Sequence, residues 1–163
     1  GPTLDELFAC VDWIAPSFEV VQSHRPGWKC TLPETVADGA LHARLLVGRR
    51  TPIRDVAPDA ASLNAVLARL AVTLVADGTP RDRGVGANVL DGPLHALRHF
   101  VHELQACPGA PDLRAGDVVS TGVWTDAWPV QAGEHWRAEF DAPIGALQVR
   151  FRQSAGPGEP TEG

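Results

Sequence analysis

The clearest pattern in the sequence is a strict alternation of apolar and polar residues near its carboxyl end. Trp136, Ala138 and Phe140 alternate with charged or polar residues, and the same period of two returns over residues 147–151. This period is typical of strands that bury one face and expose the other. The two segments therefore predict half-buried antiparallel strands.

A helical period is strongest over residues 93–105, which Pro93 opens. The apolar residues there are spaced by three, four and three positions, which places them on one helical face: Leu94, Leu97, Val101 and Leu104. A shorter helix is predicted after Thr3, because Thr3 and Glu6 have the spacing of a capping box. Another is predicted over residues 33–36, where proline suits the first turn.

Further strands are predicted where short apolar runs end in turn residues. They cover residues 13–22 with a kink at Pro16, and then 41–47, 72–75 and 117–121. Residues 49–61, rich in Pro, Asp and Arg, predict a connecting loop, and the Gly84-Val85-Gly86 segment is interpreted as a turn. Together the elements indicate an α+β domain over residues 1–152 with a mainly β core and one long helix. Residues 153–163 lack apolar anchors and predict a disordered tail.

Composition narrows the functional classes. The 163 residues are 44% apolar and carry a net charge of −6, with no basic cluster longer than Arg49-Arg50, which argues against a nucleic-acid partner. No apolar run approaches the ~20 residues of a membrane span, and no signal peptide is recognisable, so we expect a soluble, cytoplasmic protein. Three scattered cysteines argue against a disulfide framework or a thiolate metal site. The absence of methionine, even at position 1, indicates that the natural protein can begin upstream.

Glu19 is the most informative candidate residue, because it interrupts an apolar strand segment. A carboxylate buried there needs a partner or a cation, whereas strand alternation allows it simply to face outward, and from the pattern alone the outward position is favoured. The helical histidines at 95, 99 and 102 share one face that could reach a metal ion, but this face lies opposite the apolar stripe and a solvent-facing role is favoured. Trp124 and Trp128, in a Gly- and Pro-flanked loop, are candidates for a ligand-binding wall.

Several stretches, taken in order along the chain, resemble the hydratase and decarboxylase branch of the fumarylacetoacetate hydrolase superfamily. This branch contains the 2-keto-4-pentenoate hydratases and the 4-oxalocrotonate decarboxylases. The matching stretches are Val11-Asp12-Trp13-Ile14-Ala15-Pro16-Ser17-Phe18-Glu19-Val20-Val21, Thr35-Val36-Ala37-Asp38-Gly39, Gly84-Val85-Gly86-Ala87-Asn88-Val89-Leu90, residues 113–122, Pro129-Val130 with Gly133, and residues 144–151. No single motif is decisive, but the ordered set spans residues 3–152.

The resemblance implies a β-rich roll of mixed sheets around a divalent ion, Mg²⁺ or Mn²⁺. In that family the 2-keto acid chelates the ion, and the ion stabilises the enolate formed by proton transfer. Glu19 sits where the family has one of three carboxylate metal ligands. Thr121 and Gly122 match the loop that approaches the carboxylate end of the substrate, and Trp124 follows them in the same loop. The implied activity is a lyase that hydrates or decarboxylates a small 2-keto or 2-hydroxydienoic acid.

The sequence also departs from the family. A Glu-x-Glu strand with the other two metal ligands, and a catalytic lysine, would lie upstream of the matching region, and the sole lysine here is Lys29. Gly39 replaces an asparagine that commonly follows the family's aspartate. The chain is therefore a fragment, one half of a split enzyme, or a trimmed protein acting as a binding or assembly subunit or as a metal-independent isomerase or cyclase. The first two are favoured, and we expect oligomerisation, with itself or with a chain that supplies the missing ligands, because the roll would leave an apolar face uncovered.

Overall fold

The computed structural model describes residues 1–153. Apart from Gln153, the predicted tail lies outside the described residues. The helices are α1 (Leu4–Cys10), α2 (Leu32–Ala37), α3 (Ile53–Val56), α4 (Ala60–Arg69) and α5 (Pro93–Ala106). The strands are β1 (Trp13–Ile14), β2 (Ser17–Val21), β3 (His42–Val47), β4 (Thr51–Pro52), β5 (Ala71–Ala76), β6 (Thr79–Val85), β7 (His135–Phe140) and β8 (Ala146–Arg150).

The strands of residues 1–153 form three antiparallel sheets. The largest has the order β6-β5-β7-β8, and two small sheets pair β1 with β4 and β2 with β3. Strands β5 and β6 are joined by Asp77 and Gly78, which both have positive φ as a tight hairpin turn requires. The Asp77 carboxylate also accepts a hydrogen bond from the backbone N–H of His135 at 2.9 Å, which ties this turn to the start of β7.

Two hydrophobic clusters form the core. The larger joins α1, α3, α4 and the start of α5, with Ile53 and Leu63 almost completely buried. The smaller lies on the large sheet around Trp136, and Phe18 from β2 packs against it. The larger cluster therefore holds the helices together. Phe18 attaches the small β2–β3 sheet to the large sheet.

The α+β class is confirmed, and so are the strands predicted over residues 13–22, 41–47, 72–75, 135–140 and 147–151 and the long helix from Pro93. The connecting loop predicted over residues 49–61 is wrong. This segment contains β4 and α3, and Asp59 caps α4 by accepting a hydrogen bond from the Ser62 N–H at 2.7 Å. Helix α4 forms because its apolar residues Leu63 and Leu67 are buried against α1 and α5. Several helices therefore contribute to the core, whereas the sequence predicts one long helix.

The strand predicted over residues 117–121 is also wrong. Asp117 instead closes a turn in which its carboxylate accepts a hydrogen bond from the Arg114 N–H at 2.7 Å. Strand β6 was not expected, because residues 79–83 carry no apolar alternation and only Gly84 is buried in it. Gly84 and Val85 thus belong to a strand, and the predicted turn is confined to the 3₁₀ segment Gly86–Asn88.

Candidate active site

A cleft of about 1420 Å³ lies within the described residues. Its walls come from β2, from the apolar face of α5 and from residues 113–130, which connect α5 to β7. Five residues that the sequence singles out for a site line this cleft: Glu19, Thr121, Gly122, Trp124 and Trp128. The fold therefore brings together positions that are a hundred residues apart in the chain.

The cleft is mainly apolar but carries an excess of negative charge. Five carboxylates and two guanidinium groups belong to its lining: Glu6, Asp12, Glu19, Asp117, Asp126, Arg50 and Arg114. Several of its apolar residues are exposed, including Val123 at 64%. Such a surface favours an apolar body and a cation at the same time.

Glu19 lies near the middle of β2, where strand alternation separates it from its neighbour Phe18. Phe18 packs against the core cluster around Trp136, whereas the Glu19 side chain is 28% exposed. Its Oε1 lies 2.9 Å from Nδ1 of His42, which begins β3. Glu19 thus faces away from the core, as strand alternation predicts. In the described part of the chain its carboxylate has one polar partner, the imidazole of His42.

The loop that carries Thr121, Gly122 and Trp124 is held close to β6 and to the segment after it. The Trp124 carbonyl oxygen accepts a hydrogen bond from Asn88 Nδ2 at 3.0 Å. The same carbonyl crosses directly over Gly84, where a Cβ atom would lie 1.9 Å from the oxygen. The Trp124 ring contacts Phe140 edge to face, with ring centroids 5.3 Å apart. The wall around Trp124 is therefore set by close packing.

Asp82 anchors the next part of the same loop. Its carboxylate accepts a hydrogen bond from the backbone N–H of Asp126 at 2.8 Å and contacts Nε1 of Trp128 at 3.4 Å. The N–H groups of Asp126 and then of Arg83 hold the pKa of Asp82 below its usual value, because they stabilise the ionised form. The ionised carboxylate thus keeps Trp128 and its neighbours against β6. Sequence reasoning missed Asp82, since nothing in its local pattern distinguishes it from a surface residue.

The described residues do not by themselves make a complete metal site. Within residues 1–153 no group of three or more His, Cys, Asp and Glu side chains is close enough to hold an ion, and this includes the histidines of α5. Glu19 has only His42 beside it, whereas Mg²⁺ takes several oxygen ligands. Lys29 follows the 3₁₀ segment Pro26–Trp28 and is exposed. A magnesium site of the family's kind would need donors from elsewhere.

No protein-family model matches the chain, but the chain is similar to several enzymes of one kind. It is 29% identical over 153 residues to the 2-hydroxyhexa-2,4-dienoate hydratase of Comamonas testosteroni, covering 94% of this chain and 54% of that protein. It is 32% identical over 152 residues to the 2-keto-4-pentenoate hydratase of Burkholderia vietnamiensis, covering 93% and 53%. The solved structure of 4-oxalocrotonate decarboxylase from Pseudomonas putida G7, complexed with magnesium and adipate, superposes with a TM-score of 0.77 at 27% identity, covering 93% and 54%.

The chain thus spans about half the length of the curated relatives that it matches. Among residues 1–153, no helix combines the length and the apolar character that crossing a membrane requires. The roll-like α+β fold expected from the resemblance agrees with that of the solved decarboxylase. The resemblance is therefore confirmed: the chain is similar, in sequence and in fold, to about half of a 2-keto-4-pentenoate hydratase or 4-oxalocrotonate decarboxylase.

Proposed function

We propose that this chain forms part of a lyase that hydrates or decarboxylates a small 2-keto or 2-hydroxydienoic acid. The observation that carries the proposal is the meeting of Glu19, Thr121, Gly122 and Trp124 in one cleft. Relatives over nearly the whole chain are hydratases and a decarboxylase of this kind. The relatives' names and the geometry of the cleft thus support the same class of reaction.

The proposed roles follow from the chemistry of the cleft wall. The Trp124 ring offers an apolar surface for the unsaturated carbon chain of the acid. The Thr121 hydroxyl and the peptide groups around Gly122 are proposed to bind the carboxylate end, because both residues line the cleft. Glu19, which lines the same cleft, is proposed as one carboxylate ligand of a divalent ion, Mg²⁺ or Mn²⁺, in the complete protein.

The lyase needs protein that residues 1–153 do not supply. Glu19 and His42 are too few donors for a firm Mg²⁺ site. Exposed apolar residues also line the cleft, notably Trp28, Leu113 and Val123. Such surfaces are normally covered in a complete protein. We propose that residues 1–152 form a domain completed by an upstream region or a partner chain, in a cytoplasmic oligomer.

A second candidate function is a binding or assembly subunit without catalysis, or a metal-independent isomerase or cyclase. The contact between Glu19 and His42 favours this alternative, because the carboxylate already has a charged or polar partner within the described residues. The two functions differ in whether Glu19 is needed for a lyase reaction.

The test joins the chain to the half of the Comamonas testosteroni hydratase that it does not match, or to a partner encoded next to its gene. Hydration of 2-keto-4-pentenoate is followed by the loss of dienoate absorbance. Decarboxylation of 4-oxalocrotonate is followed by the release of CO₂. We expect activity in the joined protein, and we expect Glu19→Gln to reduce kcat by at least tenfold. The free energy of unfolding should change by no more than about 1 kcal/mol, since this partly exposed pair contributes little to folding.

Glu139→Gln is the matched control, because Glu139 is an exposed strand glutamate paired with Arg137 at 3.1 Å and lies outside the cleft lining. It should retain full activity. A joined protein that folds but turns over neither acid, or that keeps its activity in Glu19→Gln, contradicts the proposal. The first of these results would favour the non-catalytic subunit, and the second would favour a metal-independent reaction.

A further inference from the structure

The segment between β2 and β3, residues 22–41, forms an arm that buries none of its own residues within the described part of the chain. It contains α2 and two 3₁₀ segments, Pro26–Trp28 and Gly39–Leu41. Ordering a segment costs conformational entropy, and the burial of apolar surface normally offsets this cost. The arm gains little of that burial from residues 1–153, so we looked for a contact that would supply it.

Polar contacts within the arm nevertheless hold its shape. The Asp38 carboxylate accepts a hydrogen bond from the His24 N–H at 3.0 Å and also contacts the His24 imidazole, which closes the base of the arm. The Glu34 carboxylate lies 2.7 Å from Nη2 of Arg25 and accepts a hydrogen bond from the Thr31 N–H at 2.8 Å. The arm is therefore a preformed surface, and a preformed surface loses less entropy when it binds a partner.

This surface carries three large apolar side chains that are spaced four positions apart. Trp28, Leu32 and Val36 are 57%, 78% and 69% exposed. Leu32 and Val36 share one face of α2, because residues four apart are neighbours on a helix. Both lie outside the cleft lining, so a segment that fills the cleft does not thereby cover them. Grouped apolar residues of this kind mark a contact with another protein surface.

The charges of the arm suit contact with a copy of itself. The arm carries two basic and two acidic side chains: Arg25, Lys29, Glu34 and Asp38. A two-fold interface brings the same patch of both subunits together, so a patch with a net charge repels its copy. The arm has no such net charge. When α2 packs antiparallel on α2, the Lys29 end of each arm faces the Asp38 end of the other.

Two other uncovered surfaces differ from the arm in this respect. The cleft lining has five carboxylates and two guanidinium groups. The outer face of the large sheet, opposite the buried Trp136, brings three arginines together with one glutamate: Arg83, Arg137, Arg150 and Glu139. Each of these surfaces would repel a copy of itself. Of the three surfaces, only the arm is both apolar and balanced in charge.

We propose that the arm forms a two-fold contact between two copies of this chain, with the Leu32 and Val36 face of α2 packed antiparallel on the same face of the partner subunit. Three apolar side chains bury less than the about 800 Å² per partner of a standard interface. The dimer of the isolated chain is therefore weak, with a Kd of roughly 100 μM, and at about 5 μM the chain is mostly a monomer. This contact gives the proposed oligomer a surface, but it does not depend on the proposed reaction.

The test measures association of the chain by sedimentation equilibrium between about 5 and 500 μM. We expect the mean mass to rise toward twice that of the chain. Leu32→Lys should weaken the association at least tenfold, because it brings two ammonium groups together across the axis. An equimolar mixture of Leu32→Lys and Leu32→Glu should associate again, since α2 has only six residues and the opposite charges then lie within reach of each other.

Leu90→Lys is the matched control, because Leu90 is 57% exposed and lies outside both the arm and the cleft lining. This variant should associate as the wild type does. Circular dichroism establishes that each variant is folded. The inference is overturned if the wild type stays a monomer up to about 500 μM, if its association survives Leu32→Lys, or if the mixture of the two charged variants remains monomeric.

The protein joined to its missing half provides the second measurement. If it is a monomer, the added half covers the apolar side chains of the arm instead of a second copy, and the inference is overturned. A joined protein that associates through Leu32 but lacks activity removes the lyase and leaves the arm contact. An active joined protein that is a monomer removes the arm contact and leaves the lyase.

Discussion

Gly84→Ala is the sharpest test of how the cleft wall is built. Gly84 lies in β6 directly beneath the backbone of Trp124, and its φ is not in the left-handed region. An alanine at this position therefore has no backbone strain of its own. Its Cβ, however, would lie 1.9 Å from the Trp124 carbonyl oxygen and 2.5 Å from the carbonyl carbon.

The size of the effect follows from these distances. Because Cβ contacts shorter than 3.0 Å essentially do not occur, the Trp124 carbonyl must move by more than about 1 Å. This movement breaks the hydrogen bond from Asn88, worth about 1 kcal/mol, and overpacking of this kind costs about 1–3 kcal/mol. We expect a loss of about 2–3 kcal/mol in the free energy of unfolding, which lowers Tm by about 5–10 °C in a domain of this size.

Thermal unfolding is followed by circular dichroism and by tryptophan fluorescence, which also reports the environment of Trp124. Arg83→Ala is the control, because Arg83 is the exposed neighbour on the same strand and its loss should cost under about 0.5 kcal/mol. Gly86→Ala should also destabilise, since its Cβ would lie 2.0 Å from the Leu67 carbonyl oxygen, but without changing the fluorescence of the folded protein. A Gly84→Ala protein that melts within 2 °C of wild type, with unchanged emission, would refute the packing argument.

Two further predictions concern pH and the core. Asp82 has a pKa below its usual value of about 3.9, so its stabilising effect is complete above that value and is lost as pH falls through the lower, folded-state pKa. Acid titration of tryptophan fluorescence should therefore show a low-pH transition that Asp82→Asn lacks, and identical titration curves would contradict the anchoring role. Ile53, with 0% exposure, should lose about 2–5 kcal/mol on replacement by Ala, whereas Val36→Ala on the exposed face of α2 should stay within about 0.5 kcal/mol in urea unfolding. Equal losses in the two variants would contradict the assignment of the core.

The sequence by itself determined those elements whose pattern is local. Alternation predicts β7 and β8, the three- and four-residue spacing predicts α5, and Thr3 with Glu6 predicts the first helix, whose capping box is present in the structure. These signals succeed because each depends on neighbours within one or two turns or along one strand. The ordered motifs likewise indicate the hydratase and decarboxylase relatives and mark Glu19 as a candidate.

The tertiary structure decided the features that depend on distant partners. Helix α4 begins at the end of a Pro- and Asp-rich stretch that predicts a loop, and it forms because Leu63 meets helices that are distant in the sequence. Residues 117–121 have the apolar content of a strand, but no strand within residues 1–153 pairs with them, so they form a loop on the cleft wall.

His42 is the clearest case of a residue that sequence reasoning could not find. Its meeting with Glu19 depends on one extra residue in β3 and on a left-handed turn before it, and neither has a sequence signature. A shift of a single residue exchanges the two faces of a strand, so the local pattern allows either face for His42. Only the pairing of β2 with β3 selects the face on which the imidazole reaches the carboxylate.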